Sequence, residues 1–173
     1  MENKKTERIL GIDPGFGRTG WGVIEKVGRE WRAVAWGCVE TSAKEPFANR
    51  LFGLHKELRA VVKKYKPACA AVEDLFFAKN VKTAMKVGQA RGVILLTLKQ
   101  LNLPIFEFTP LQVKQAMTGY GRAEKGQMQK MMVMLLRVKK KIASDDAADA
   151  LAVALTCAFA LPYQKRGGII VLA

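Results

Sequence analysis

The stretch Ile9-Leu10-Gly11-Ile12-Asp13-Pro14-Gly15 decides the fold. Its apolar run predicts a buried strand over residues 7–13. Pro14 disfavours helical backbone for the residue before it, so Asp13 stays extended at the end of that strand. The glycines allow a backbone or a ligand to approach closely. A carboxylate in this position favours a metal or phosphate site, and a tight turn with a solvated Asp13 is the alternative.

The composition predicts one folded domain with a polyanionic partner. The chain has 173 residues, of which 50% are hydrophobic, and this is enough for a single α/β domain with a sizeable core. Its net charge of +14, from 29 Lys and Arg against 15 acids, favours nucleic acid as the partner over an anionic membrane surface. No apolar run reaches the roughly 18 residues of a membrane helix. Residues 1–8 are polar and unlike a signal peptide, so we expect a cytoplasmic protein.

The cysteines and the histidine narrow the possible chemistry. Cys38, Cys69 and Cys157 are odd in number and lack metal-finger spacing, so we expect reduced core cysteines. His55 is the only histidine, which excludes a multi-histidine metal site and argues against a histidine-based catalytic triad.

The order of the strand and helix patterns predicts a mixed sheet. Strands over 17–26 and 31–41 follow the first one through short linkers, which is typical of an antiparallel meander. The next elements are predicted in this order: a helix from Pro46 to Pro67, a strand over 68–74, a helix from an Asn80 cap to Leu101, and a strand over 104–109. Right-handed crossovers would make the last strands parallel.

The remaining chain is predicted to be mostly helical. In order, it comprises a short helix from Pro110, a basic loop over 118–122, a helix over 124–137 with a Met-rich core face, and a helix from Ser144. Residues 1–6 and 162–173 are expected to be loosely ordered tails. Residues 93–98 of the long helix are apolar nearly all round. Such a helix either lies deep in a monomer or packs one face on the sheet and another on a partner subunit.

The aspartates are confined to three short stretches of the chain. The five are Asp13, Asp74, Asp145, Asp146 and Asp149. Glu73 and Asp74 end a buried strand as Asp13 does, and ligand sites in α/β sheets lie at such strand ends. In the final helix, Asp149 shares a face with Asp146 at i, i+3 and with Asp145 at i, i+4, so spacing does not choose between them. Helix capping explains Asp145 better than it explains Asp149.

Several carboxylates in one cleft would repel one another unless divalent cations lay between them. Oxygen ligands of this kind suit Mg²⁺ or Mn²⁺. A two-metal site of this type activates water and stabilises the leaving oxygen in phosphodiester cleavage. The acidic stretches therefore predict a metal-dependent phosphodiesterase.

A basic segment lies between Gln112 and Lys141. It contains eight cationic residues against Glu124 alone: Lys114, Arg122, Lys125, Lys130, Arg137, Lys139, Lys140 and Lys141. This imbalance favours phosphate binding over a merely solvated surface. The adjacent pair Phe76-Phe77 is either core or, beside a site in a basic protein, a platform for an unpaired base.

The motifs together resemble the RuvC family of bacterial Holliday-junction resolvases, in the ribonuclease-H-like superfamily. The match is collinear from about residue 8 to residue 160. It rests on these segments: Gly11-Ile12-Asp13-Pro14-Gly15, Val72-Glu73, Phe76-Phe77-Ala78-Lys79-Asn80, Gly88-Gln89-Ala90-Arg91-Gly92, Gln112-Val113-Lys114-Gln115, Ala123-Glu124-Lys125 and Asp146-Ala147-Ala148-Asp149-Ala150-Leu151-Ala152.

The resemblance implies a ribonuclease-H-like α/β fold over residues 1–173. Its five-stranded mixed sheet would have three antiparallel strands followed by parallel ones, with helices on its flanks. The implied catalytic metal ligands are Asp13, Glu73, Asp146 and Asp149, with two Mg²⁺ ions per site and Mn²⁺ as a substitute. Asp145 would then be a bystander or a cap. Lys114 and Lys125 match basic residues needed near the scissile phosphate. The expected DNA contacts are Phe76, Lys79, Lys82, Lys114, Arg122 and Lys125.

The resemblance also implies an activity and partners. A homodimer would make paired, symmetric nicks in four-way junction DNA, in recombination and repair, together with the RuvA–RuvB branch-migration complex. The long helix from Asn80 would supply the dimer interface. Two other classes use related features: a sugar-kinase or actin-like ATPase shares the Gly-rich Asp turn, and a non-catalytic junction-binding module would share the charge. The first normally needs two lobes, and the second has no need of paired carboxylates.

Overall fold

A five-stranded mixed sheet forms the centre of the protein. The structure, a computed structural model, describes residues 7–74, 81–119, 121 and 124–164, and only the backbone of 81–83 and 162–164. The strands are β1 (Arg8–Asp13), β2 (Arg18–Val27), β3 (Glu30–Glu40), β4 (Cys69–Glu73) and β5 (Ile105–Phe108). Their order in the sheet is β3-β2-β1-β4-β5.

The pairing confirms the mixed sheet predicted from sequence. β1 pairs antiparallel with β2, and β2 pairs antiparallel with β3. β4 lies parallel to β1 and to β5. β1 and β4 are therefore neighbours at the centre of the sheet, and both run towards the same edge.

Helices cover both faces of the sheet. They are α1 (Phe47–Tyr65), α2 (Val81–Gln100), α3 (Pro110–Thr118), α4 (Lys125–Leu135) and α5 (Asp145–Gln164). The period-2 alternation of the strands divides the core between the two faces. In β1, Ile9 packs with α3, α4 and α5, whereas Leu10 packs with α1 and α2.

α5 lies almost in contact with the sheet backbone. A Cβ atom on Gly11 of β1 would overlap the carbonyl oxygen of Ala150, and one on Gly20 of β2 would overlap that of Asp146. Only glycine allows this approach. The small apolar residues of α5, from Ala147 to Ala158, are therefore buried against β1 and β2. This packing brings the first two turns of α5 to the edge where β1 and β4 end.

Two helix boundaries differ from the prediction. α4 ends at Leu135 because Arg137 adopts a left-handed backbone with φ of 51°. The backbone of α5 continues to Gln164, three residues into the segment predicted as a C-terminal tail. Residues 1–6 and 165–173, also predicted as tails, lie outside the described residues.

Two predictions of core packing hold only in part. Met132 of α4 is buried, but Met134 is 63% exposed, because residues two apart in a helix point to opposite sides. Cys69 and Cys157 are buried, whereas Cys38 of β3 is only partly buried. The prediction of a core cysteine at position 38 is therefore wrong. Its Sγ lies 4.0 Å from Asp146 Oδ2, beside the acidic end of α5.

Within the described part of the chain, no helix has both the length and the apolar character needed to cross a membrane.

Candidate active site

Asp13 and Glu73 are brought together by the parallel register of β1 and β4. Ile12 pairs with Val72, so the next residue of each strand lies at the same edge of the sheet. Side chains two or four residues apart in a strand lie on the same face. Asp13 is therefore on the face of Ile9, and Glu73 is on the face of Cys69 and Ala71. Ile9, Cys69 and Ala71 pack towards α5. Both carboxyl groups therefore point to the face where α5 begins.

Burial and mutual repulsion change how these carboxyl groups ionise. Burial, followed by the negative charge of Glu73, raises the pKa of Asp13 to about 8 from its ordinary value of 3.8. Burial also raises the pKa of Glu73, which hydrogen-bonds with Asp13. Two carboxylates this close cannot both remain charged without a compensating cation. In the metal-free protein near neutral pH, the pair therefore holds a proton between them.

Asp149 of α5 completes an acidic cavity with this pair. The cavity has a volume of about 260 Å³, and its lining includes Asp13, Glu73, Asp149, Lys114 and Lys125. Burial raises the pKa of Asp149, while Lys125 opposes this rise. Lys125 Nζ donates to Asp149 Oδ2 at 3.0 Å. Three carboxyl groups and two ammonium groups thus face one cleft.

The two lysines of the cavity come from different helices. Lys114 is in α3, which Thr109 and Gln112 start with a reciprocal capping box and Pro110 at its first turn. Lys125 is the first residue of α4, next to the Glu124 cap. Burial works against the charge on Lys125, but the hydrogen bond and charge of Asp149 prevail, and the pKa of Lys125 is raised. Both lysines therefore line the same cavity as the carboxyl groups of Asp13, Glu73 and Asp149.

Asp146 has a different position from the other three predicted ligands. Of the described acidic residues, Asp13, Glu73 and Asp149 line the cavity, whereas Asp146 does not. Arg18 Nε pairs with Asp146 Oδ2 at 2.9 Å, and Ser144 Oγ donates to the same oxygen at 3.2 Å. Its charge still contributes to the raised pKa of Asp13, so the carboxylate is close to the cavity although turned towards Arg18.

Asp145 lies at the surface on the other side of the α5 N-terminus. The hydrogen bond from Gln129, and then the charge of Lys125, lowers its pKa. Lys125 Nζ lies 3.4 Å from Asp145 Oδ2. These contacts favour the interpretation of Asp145 as a bystander that helps to hold Lys125.

The carboxyl groups of the cavity have the chemistry that a divalent cation needs, although they are too far apart to coordinate one together. Among the described residues, no three His, Cys, Asp or Glu side chains are close enough to hold a metal ion. The oxygen-only chemistry of Asp13, Glu73 and Asp149 nevertheless suits a hard dication. Their raised pKa values also mean that a positive ion would relieve an existing electrostatic cost.

A basic groove lies beside the acidic cavity, between α4 and α5. It has a volume of about 530 Å³, and its lining includes Lys130, Lys139, Lys140, Lys141 and Asp145. Asp145 connects the two features, because it borders the groove and pairs with Lys125 of the cavity. The lysine run at 139–141 is thus next to the site rather than on a remote face.

Several predicted DNA contacts lie outside the described side chains. Phe76, Lys79 and Arg122 lie outside the described residues, as does the predicted Asn80 cap. Lys82 belongs to α2, and only its backbone is described.

Sequence reasoning missed the role of Arg18 in this region, and it identified Ser144 only as the start of the final helix. Ser144 Oγ accepts from the Ala147 amide at 3.4 Å, so it caps α5 as well as binding Asp146. A signal for Arg18 was present, since it is the only cation between Asp13 and Lys26.

Comparison with known proteins gives the family. The model of the family described as "Crossover junction endodeoxyribonuclease RuvC" matches residues 9–157. This chain belongs to the RuvC family. The RuvC of Petrotoga mobilis is 53% identical over 146 residues, which cover 84% of this chain and 90% of that protein. The RuvC of a Roseiflexus species is 52% identical over 159 residues, covering 92% and 95%.

Solved RuvC structures have the same fold. The structure of T. thermophilus RuvC in complex with Holliday junction substrate is 35% identical, with a TM-score of 0.85, and the match covers 93% of this chain and 96% of that one. A second structure of Thermus thermophilus RuvC has a TM-score of 0.82 at 36% identity, and the match covers 92% of this chain and 96% of that one. The ribonuclease-H-like arrangement predicted from the motifs is therefore confirmed.

Proposed function

We propose that this protein is a structure-specific endonuclease that resolves four-way DNA junctions by paired, symmetric, metal-dependent phosphodiester cleavage in recombination and repair. The observation that carries the proposal is the cavity in which Asp13, Glu73 and Asp149 face Lys114 and Lys125, in a chain that matches the RuvC family over residues 9–157. The T. thermophilus relative was solved with a Holliday junction substrate, which supports the same class of DNA for this chain.

Asp13, Glu73 and Asp149 would hold Mg²⁺, with Mn²⁺ as a substitute and two ions per site, and Asp146 would join them. Bound cations of this kind supply the positive charge that makes a water nucleophilic and stabilises the leaving oxygen. The oxygen-only ligand set and the raised pKa values of the cavity carboxyls support this assignment.

The residues of the chain position the phosphate and manage charge around it. Lys125 is held at the rim by Asp149 and Asp145, and it can bind a phosphate oxygen while remaining protonated. Lys114 also lines the cavity, and its positive charge opposes the rise in the pKa of Glu73. Asp13 and Glu73 share a proton near neutral pH, and a bound cation would favour the release of that proton to solvent.

The basic groove supports a path for the DNA backbone away from the scissile phosphate. Four lysines border the groove: Lys130, Lys139, Lys140 and Lys141. Among its described lining residues, Asp145 is the only acid. Phosphate contacts of this kind add affinity and position the duplex, but they carry no sequence information. Phe76, Lys79, Lys82 and Arg122 are proposed as further DNA contacts.

One face of α2 supports a homodimer. Ala90, Ile94 and Leu98 are buried in the core, while Met85 and Leu96 are 68% and 58% exposed. Gly92 is also exposed and lies on the same side of the helix as Met85 and Leu96, by helical spacing. Of the two alternatives for this helix, the structure favours the partner subunit. A two-fold dimer would place two cavities for paired cuts.

The proposal also covers the cellular setting. We assign the protein to the cytoplasm as a single nuclease domain that works with the RuvA–RuvB branch-migration complex, as the family resemblance implies.

Cleavage of a labelled four-way junction in Mg²⁺ tests the proposal. The proteins compared are the wild type, Asp13→Asn, and Glu57→Gln as a control, since Glu57 is an exposed carboxyl group of α1 on the other face of the sheet. Junction binding is measured by gel shift in parallel. We expect symmetric cuts by the wild type and by the control, and binding without cutting by Asp13→Asn. A plasmid with an extruded cruciform reports pairing, since paired cuts give linear DNA and independent nicks give open circles.

Tight binding with no cutting by the wild type, in either Mg²⁺ or Mn²⁺, would contradict the proposal and leave a junction-binding protein. ATP hydrolysis without DNA cleavage would instead favour an actin-like ATPase.

A further inference from the structure

Arg18 forms the centre of a polar cluster beside the acidic cavity. Its Nε lies 2.9 Å from Asp146 Oδ2, and its Nη2 lies 3.3 Å from Glu40 Oε1 and 3.3 Å from Ser144 Oγ. Arg18 and Glu40 are cross-strand partners at the ends of β2 and β3. The guanidinium therefore joins the edge of the sheet to the first turn of α5.

This cluster keeps Asp146 turned away from the cavity. The backbone of Asp146 is fixed, because its carbonyl oxygen packs against Gly20, so only its side chain can change direction. The Asp146 side chain is 32% exposed and that of Arg18 is 52% exposed. At this exposure, an ion pair is weak enough to be exchanged for a stronger partner.

We propose that Arg18 is a positioning residue that competes with divalent cations for Asp146, so that the ion pair Arg18–Asp146 sets the metal affinity of the cavity. This inference rests on the metal site of the proposed function. In the metal-free protein, Asp146 neutralises Arg18. When the cavity is loaded, Asp146 turns to join Asp13, Glu73 and Asp149.

Glu40 allows Asp146 to turn away without leaving the guanidinium group of Arg18 unpaired. It already contacts the same guanidinium, so Arg18 keeps an anionic partner after Asp146 leaves. Ser144 keeps a role too, since its hydroxyl group still caps the Ala147 amide. The exchange thus needs a change of side-chain direction at Asp146 and no rearrangement of β2, β3 or α5.

Direct metal binding tests the competition. Calorimetric titrations with Mn²⁺ and with Mg²⁺, without DNA, compare the wild type with Arg18→Gln. Arg32→Gln is the control, since it removes the same charge from an exposed arginine paired with Glu30. Arg32 pairs with Glu25 in the sheet, so it lies about seven residues from the Arg18 end of β2, roughly 23 Å away. This is well beyond the screening length of about 10 Å at 0.1 M salt.

We expect Arg18→Gln to bind both ions roughly two- to fivefold more tightly, which is the range for losing an exposed ion pair. Arg32→Gln should bind as the wild type does. Equal or weaker binding by Arg18→Gln would overturn the inference while leaving the metal site intact. An equal gain in Arg32→Gln would also overturn it, because the effect would then be general charge. If neither the wild type nor Arg18→Gln binds either ion, the proposed metal site itself fails, and the competition with it.

Discussion

Replacing Asp13 with asparagine is expected to stabilise the metal-free protein while removing its activity. The asparagine side chain would keep a donor for Glu73 but carry no charge in a site where burial and Glu73 oppose ionisation. The carboxyl group of Asp13 costs folding free energy because the unfolded chain can ionise freely at this position and the folded protein cannot. The asparagine variant has no such cost.

The magnitude follows from the pKa of Asp13, which is about 8 in the folded protein against an ordinary value of 3.8. Between these values the folded state holds a proton that the unfolded state has lost. Stability therefore falls as pH rises through this window, by at most about 1.4 kcal/mol for each pH unit. At pH 7 the upper limit is about 4 kcal/mol, and at pH 4 the effect almost vanishes.

Urea unfolding in EDTA at pH 4, 5.5, 7 and 8.5 measures this difference. The gain in the free energy of unfolding of Asp13→Asn over the wild type should be near zero at pH 4, grow to a few kcal/mol by pH 7, and level off above pH 8. Asp145→Asn is the matched control. The contacts of Asp145 lower its pKa, so its replacement should bring no gain at any of these pH values.

A gain that is independent of pH, or no gain at all, would refute the reasoning. The first result would mean that asparagine simply packs better at position 13. The second would mean that Asp13 is ionised and solvated in the folded protein. Excess Mg²⁺ should reverse the order of stability, because the wild type would then gain a ligand that Asp13→Asn binds poorly.

Two further predictions concern the neighbours of the carboxylates. Lys125→Ala should lower junction cleavage roughly 10²-fold while changing junction affinity much less, since Lys125 lies at the cavity with Asp149. Equal losses in a cleavage assay and in a gel shift would make Lys125 a general phosphate contact. Gly20→Ala should lower the free energy of unfolding by about 1–3 kcal/mol, because its methyl group would overlap the Asp146 carbonyl oxygen. Gly53→Ala, with open space around that position in α1, is its control in the same urea titration.

The sheet and most of the site could be predicted from the sequence because they depend on local patterns. The apolar run before Asp13 and the run before Glu73 each mark a buried strand, and parallel neighbours end at one edge. Period-2 alternation then places both carboxyl groups on the same face. Asp149 shares a helix face with Asp146 at i, i+3 and with Asp145 at i, i+4, so spacing left both open, and the resemblance to RuvC favoured Asp146.

What the sequence could not supply was the direction of individual side chains. The exposed Met134 and the partly buried Cys38 belong to segments with core-like composition, and their exposure depends on how α4 and α5 pack on the sheet. The early end of α4 depends on the left-handed backbone of Arg137, a residue with no intrinsic preference for it.

The sequence by itself determined the order of strands and helices, the acidic cluster, the basic segment and the family, because each of these follows from short motifs or from composition. Only the tertiary structure decided that Asp13, Glu73 and Asp149 share a cavity while Asp146 pairs with Arg18. Arg18 and its partner Ser144 are 126 residues apart in the chain. They meet because Gly11 and Gly20 let α5 approach the sheet, a contact that depends on packing between distant segments.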